Sequence, residues 1–291
     1  MATMSQDGTL GILDPRRGFR HFALDRRAPP ADLEEVIERF WTVRWDLAPG
    51  ACFEQEILPH PCANLSSERS PVVLSPEVRV TGLSTERFVA RLEGSGGVFG
   101  TKLTPGGLFA IARVPTASLV GRRASLSEVT GHDVELRDLD PRAEGDGFEE
   151  ASRRMAELVR AVLTERPIDA RVLRINALVA RVREDRSILR VDDLARIDGG
   201  SVRQLQRDFK QVVGIGPKWV IRRARVQDAA ERVANGERVD WARTAQDLGY
   251  HDQAHLIHEF RAQVGWTPEA YARRCRDGLV SRRPIEERSF A

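Results

Sequence analysis

Two segments of this 291-residue chain carry side chains whose spacing suits a defined chemistry. The first presents four polar side chains at three- and four-residue intervals, which a helix places on one face. They are Arg203, Gln206, Arg207 and Lys210. Arg pairs with the guanine edge or a phosphate, and Gln pairs with the adenine edge. This face therefore has the chemistry of a helix that reads the major groove of DNA.

The residues around this face predict the helix that positions it. Ser201 is expected to cap the helix by accepting a hydrogen bond from a first-turn N–H group. Gly214 is expected to stop it, and Pro217 to begin the next helix at its first turn. The inward stripe consists of Val202, Leu205 and Phe209.

The same pattern recurs 51 residues downstream, where Asp252 takes the place of Ser201. Every gap of the pattern is preserved in the second copy, Asp252, Leu256, Phe260, Gly265 and Pro268. Each copy follows a short predicted helix, so the repeat predicts tandem helix-turn-helix units. The helix predicted from Pro217 to about Val233 is about 25 Å long and would act as a rigid spacer between them.

These segments resemble the AraC/XylS family of bacterial transcription regulators over about residues 171–275. The resemblance lies in the segments Leu205–Phe209, Gly214–Pro217, Ile221–Arg225 leading to Ala229, Ala245–Tyr250, Asp252–Phe260 and Gly265–Pro268. It implies two DNA-reading helices in successive major grooves of double-stranded DNA. By matching position, the base-reading candidates are Arg203, Gln206 and Arg207 in the first helix, and Gln253, Ala254, Ile257 and His258 in the second.

The second helix departs from the family pattern. His258 stands where the family usually has Arg, and the same face is expected to include Ala254, Ile257 and Glu259. We therefore predict that the first helix contributes more of the affinity for DNA.

Charge is distributed unevenly along the chain. Residues 168–291 carry 24 basic against 18 acidic side chains, whereas residues 1–167 carry 21 against 25. Between Ser201 and Val226 a single acid, Asp208, accompanies seven basic residues, which suits contact with phosphates. They are Arg203, Arg207, Lys210, Lys218, Arg222, Arg223 and Arg225.

The remaining patterns predict an α+β protein of two domains. Residues 1–120 show short alternating strands, as at Trp41, Val43 and Trp45, typical of a β-rich barrel or sandwich. Residues 121–167 are expected to form a helical connector that begins with a helix capped by Ser127. Residues 168–275 predict an all-α domain of seven helices with Trp219, Trp241 and Trp266 in its core, and 276–291 a polar tail.

The N-terminal half also resembles the regulatory region of one subgroup of these regulators, through Phe40–Trp45, Leu58–Pro61 and Gly100–Gly107. Such regions are cupin-like in the wider family and often bind effectors or dimerise. Trp41, Trp45 and His60 are candidates to bind a small-molecule effector, although the tryptophans could equally be plain barrel core. The segment Thr104–Gly107 is expected to be a turn and not a phosphate loop.

Other functions are weighed against this one. A metal-sensing site would use His21, His60, His132, Cys52 and Cys62, but their spacing favours structural histidines and reduced thiols. A cupin-like enzyme fused to a DNA-binding module and an effector-independent regulator are two further hypotheses. No catalytic constellation is recognisable, so we expect no enzyme activity, no metal and no cofactor.

The chain has no run of eighteen apolar residues, and its first residues lack the pattern of a secretion signal. We therefore expect no membrane partner and a cytoplasmic protein. RNA polymerase and a second copy of the chain are further candidate partners.

Overall fold

The computed structural model describes residues 11–71, 73, 77–134, 136, 146–237 and 239–280. Its N-terminal half holds a six-stranded antiparallel sheet in the order β1-β2-β7-β4-β5-β8 and a two-stranded sheet, β3-β6. The strands are β1 (Ala23–Arg27), β2 (Ile37–Asp46), β3 (Cys52–Ile57), β4 (Asn64–Arg69), β5 (Arg79–Thr81), β6 (Phe88–Glu93), β7 (Ser95–Leu103) and β8 (Arg123–Ser125).

The long strand β2 shows why the sheet has two different faces. Side chains alternate across a strand, so Phe40 enters the main core while Trp41 and Trp45 lie on the opposite face. Across the ladder, Trp41 is paired with Gly100 and Trp45 with Gly96. A Cβ at either glycine would lie 2.1–2.3 Å from an indole carbon, so the rings need a bare backbone beneath them.

A second apolar cluster lies on the tryptophan face of the sheet. It joins Trp45 to Phe22 and to Phe53 and Leu92 of the two-stranded sheet. The two sheets therefore enclose a small core between them. The predicted β-rich N-terminal domain is confirmed.

Residues 121–167 are only partly the helical connector that the sequence predicts. They begin with strand β8, which pairs with β5, followed by α3 (Leu126–Thr130) and α4 (Asp146–Glu165). The predicted cap at Ser127 is wrong, because Ser125 accepts the hydrogen bond from the N–H of Glu128 at 3.2 Å. Residues 135 and 137–145 lie outside the described residues.

Short helices complete the N-terminal half. They are α1 (Pro15–Gly18) and α2 (Gly107–Ile111), with 3-10 turns at Ala31–Leu33 and Thr116–Leu119. The long helix α4 packs on the sheet, where Phe148 meets Phe99 edge to face with ring centroids 6.0 Å apart. The guanidinium of Arg160 on α4 forms a bidentate ion pair with Asp32, donating hydrogen bonds of 2.6 and 2.9 Å.

The seven predicted helices of the C-terminal domain are confirmed. They are α5 (Ala170–Glu184), α6 (Val191–Asp198), α7 (Val202–Val212), α8 (Pro217–Ala234), α9 (Trp241–Asp247), α10 (Gln253–Val264) and α11 (Pro268–Val280). We call α5–α7 the first unit and α9–α11 the second unit. The 18-residue helix α8 joins them and spans about 27 Å.

The two domains meet at the turn Thr104–Gly107. Here the Oδ1 atom of Asn176 on α5 accepts from the N–H of Gly106 at 2.8 Å, and its Nδ2 donates to the carbonyl of Glu35 at 2.8 Å. A Cβ at Gly106 would lie 2.9 Å from Val172, so the turn needs glycine to approach the helix. This segment is thus a docking turn for α5.

Candidate DNA-binding interface

The four candidate residues of the first unit lie on one exposed face of α7. They are Arg203, Gln206, Arg207 and Lys210. Beneath them Leu205 and Phe209 are fully buried. The N–H of Gln204 donates to the Ser201 hydroxyl at 3.2 Å, which confirms the predicted cap. The helix is thereby fixed with its cationic face open to a ligand.

The second unit repeats this construction with a less polar face. Its cap is confirmed, because the N–H of His255 donates to Asp252 Oδ1 at 2.7 Å. Gly265 ends the helix at φ +87°. Gln253, Ala254 and His258 are exposed on the outward face of α10 and Ile257 is half-buried.

Helices α7 and α10 each carry a buried acid near the middle of the repeat. Asp208 accepts a hydrogen bond from Gln204 Nε2 at 2.8 Å and pairs with Arg174 of α5. Its counterpart Glu259 pairs with Arg222 of α8 and is only 8% exposed. Glu259 therefore links α10 to α8 through an ion pair. Its predicted place on the DNA-facing surface is wrong.

Two arginines assigned to phosphate contact by the charge count are also buried. Arg225 donates from Nη2 to the carbonyls of Val182, Asp185 and Ile188 at 2.7–3.1 Å, so it caps the end of α5. Arg223 stacks on Trp219 and donates to the carbonyl of Thr85 at 2.5 Å. Burial lowers the pKa of Arg223 to about 10. Neither side chain is available to DNA.

The three effector candidates do not meet in one cavity. Trp45 belongs to the core between the two sheets, where its Nε1 donates to the carbonyl of Glu93 at 3.1 Å. Trp41 is half-buried on the same sheet face, and its Nε1 donates to Asn64 Oδ1 at 3.4 Å. His60 is buried elsewhere, against Gly11.

A small cavity lies between the domains, with space for about one water molecule. None of the three effector candidates lines it. Its walls are Gly11, Ile12, Leu13, Leu58, Gln227, Ala230, Glu231 and Tyr271. Burial raises the pKa of the Glu231 carboxyl in this lining.

The residues considered for metal binding are dispersed in the part of the chain that the structure describes. His21 stacks on Phe53 with ring centroids 4.0 Å apart, and His132 Nε2 lies 3.1 Å from a Glu165 oxygen. No group of three metal-ligating side chains occurs among the described residues. Cys52 is exposed, and burial raises the pKa of the Cys62 thiol to about 11.

Comparison with known families matches both halves of the chain. Residues 194–274 match a family model described as a helix-turn-helix domain, and residues 25–125 match a domain of unknown function, DUF6597. The C-terminal domain therefore belongs to the helix-turn-helix class of DNA-binding domains. It is a domain of the AraC type, found in transcription regulators.

Solved structures give weaker likenesses. The C-terminal domain of AraT, a response regulator from Geobacillus stearothermophilus, is 24% identical, with 39% of this chain and 91% of that chain covered and a TM-score of 0.30. ToxT from Vibrio cholerae is 11% identical, with 88% of this chain and 98% of that chain covered and a TM-score of 0.38. The helix-turn-helix class is shown by the family match at residues 194–274 together with the internal repeat.

Two further results are negative. No curated protein matches the chain significantly. Within the described residues, no helix has the length and hydropathy needed to cross a bilayer.

Proposed function

We propose that the protein is a sequence-specific transcription regulator that binds operator DNA through residues 168–275. The observation that carries this proposal is the exposed face of Arg203, Gln206, Arg207 and Lys210 on a capped helix of an AraC-type domain. Arginine and glutamine side chains at this spacing read base edges in the major groove. Gln253, Ala254, Ile257 and His258 form the second reading face.

Residues 1–120 are proposed as a sensor of a small-molecule effector, with 121–167 connecting them to the DNA-binding domain. Supporting this role, α5 and α8 both dock on the N-terminal domain, so a change in that domain would reach the reading helices. An effector acts here by binding one domain arrangement better than another. The proposed role is non-enzymatic, and a regulator that binds genomic operator DNA would act in the cytoplasm.

Genome-wide footprinting of the full-length protein tests the DNA-binding proposal. The expected result is a recurrent motif that the wild type protects and that Arg207→Ala protects weakly. Uniform binding without any motif would contradict sequence-specific recognition. Because phosphate contacts are salt-dependent, the comparison is made at one salt concentration.

The sensor proposal needs a separate experiment. A thermal-shift screen of metabolites with the full chain is expected to find a compound that raises the melting temperature. That compound should then change the affinity for a footprinted site. A compound that stabilises the protein while leaving DNA affinity unchanged would contradict the sensor role.

A further inference from the structure

The second unit touches the N-terminal domain through a polar cluster centred on Glu56 of β3. Glu56 Oε2 accepts a hydrogen bond from Trp266 Nε1 at 3.2 Å and forms an ion pair with Arg274 Nη1 at 3.1 Å. Its other oxygen pairs with Arg87. The guanidinium of Arg274 also stacks on the Trp266 ring at 5.0 Å and lies 3.4 Å from Asp14 Oδ2. We call Glu56, Trp266 and Arg274 the latch.

The latch holds the end of the second reading helix. Trp266 directly follows Gly265, the residue that ends α10, and Arg274 lies on α11. A Cβ at Gly265 would lie 2.8 Å from the Arg87 guanidinium, so the two domains are in close contact here. Trp266 is 37% exposed, so its predicted place in the helical core is wrong.

Outside α8, polar contacts such as the latch and the hydrogen bond from the Asp14 N–H to the Tyr271 hydroxyl hold the second unit to the N-terminal domain, because the two share little apolar core. The first unit packs into the main N-terminal core through residues such as Val172 and Val212. The second unit has its own core, which Leu13 and Leu58 alone among the described N-terminal residues join. Helix α8 connects the second unit to the first. The latch contacts the N-terminal domain next to the C-terminal end of α10.

We infer that the latch residues are positioning residues for DNA reading: they fix the second reading helix at the separation from the first that the operator requires. This inference rests on the proposed function. The second face, with Ala254, Ile257 and His258, offers few strong base contacts. Its contribution to binding therefore depends on being held in place before DNA arrives, which lowers the cost of ordering on binding.

The test uses the full-length protein and a library of random-sequence DNA duplexes. The wild type is expected to enrich a motif of two elements at one spacing. Affinities are then measured for duplexes with that spacing, with one or two base pairs inserted, and with the first element alone. Glu56→Gln should reduce the preference for the enriched spacing by about fivefold or more and leave the affinity for the first element unchanged.

Matched variants separate positioning from general damage. Arg274→Gln breaks the same contact from the other domain and should give the same result. Glu54→Gln lies on the same strand with an exposed side chain and should retain the wild-type spacing preference. Melting temperatures of all variants report whether the fold is intact.

Each contrary outcome counts against a specific claim. A wild-type spacing preference in Glu56→Gln and Arg274→Gln would overturn the inference, and so would an equal loss of binding to the first element alone. A wild type that enriches only one element would overturn the inference while leaving the proposed function standing. A wild type that enriches no motif would refute the proposed function itself.

Discussion

The two helix-turn-helix units share a sequence pattern but differ in how they are attached to the rest of the chain. The first unit is part of the main hydrophobic core, so the N-terminal domain and α5–α7 are one packed body. The second unit has a separate core and meets the N-terminal domain mostly through hydrogen bonds and ion pairs. The difference implies that apolar packing holds the first unit in place, whereas the second unit relies on α8 and on polar contacts such as the latch for its position.

Replacing the central aromatic residue of each unit with alanine should give the largest measurable difference between the two cores. Phe209 and Phe260 are fully buried at matching positions of the repeat. Each change to alanine should cost about 3–5 kcal/mol of local stability. Phe209→Ala should also lower hydrogen-exchange protection in the N-terminal strands, because its core extends there, whereas Phe260→Ala should leave those strands protected. Equal effects on the strands would mean that the cores are not distinct.

The buried acids sharpen the comparison at a smaller scale. Asp208→Asn removes the charge that pairs with Arg174 and should cost about 1.5–3 kcal/mol in urea unfolding. Glu259→Gln should cost less, because both side chains of its pair are more exposed to screening solvent: Glu259 and Arg222 are 10% and 42% exposed, against 3% and 36% for Asp208 and Arg174. A larger loss of stability for Glu259→Gln than for Asp208→Asn would contradict this ranking of the two ion pairs.

Thiol reactivity gives the smallest effect and reports on local opening. Burial raises the pKa of both Cys62 and Cys275 to about 11, so at about pH 8 the folded protein keeps them protonated and unreactive. Alkylation followed by mass spectrometry should label exposed Cys52 first. Cys275 should follow before Cys62, because it lies in the smaller core and local opening exposes it sooner. Labelling of Cys62 before Cys275 would contradict the looser attachment of the second unit.

The repeat and its caps were predictable because they depend on residues close together in sequence. The capping roles of Ser201 and Asp252 depend only on N–H groups three residues away, so the sequence predicts them directly. The seven helices were predicted from the spacing of apolar residues. The predicted two-domain α+β class is likewise confirmed.

The errors concern residues whose partners are distant in the chain. Glu259 and Arg225 look like surface charges on a helix, and only the packing of α5 and α8 shows that they are buried. Tryptophan is a residue type expected in a core, yet the hydrogen-bond partner of Trp266 is Glu56, 210 positions away in the chain. Local periodicity carries no information on such pairings. The roles assigned to the exposed reading residues remain predictions.

The unequal roles of the two readers are tested most directly by titrating a footprinted duplex at one salt concentration. The full-length wild type is compared with Arg207→Ala and His258→Ala. We predict that Arg207→Ala weakens binding by about 1–3 kcal/mol and that His258→Ala weakens it less. Equal losses, or a larger loss for His258→Ala, would contradict the account.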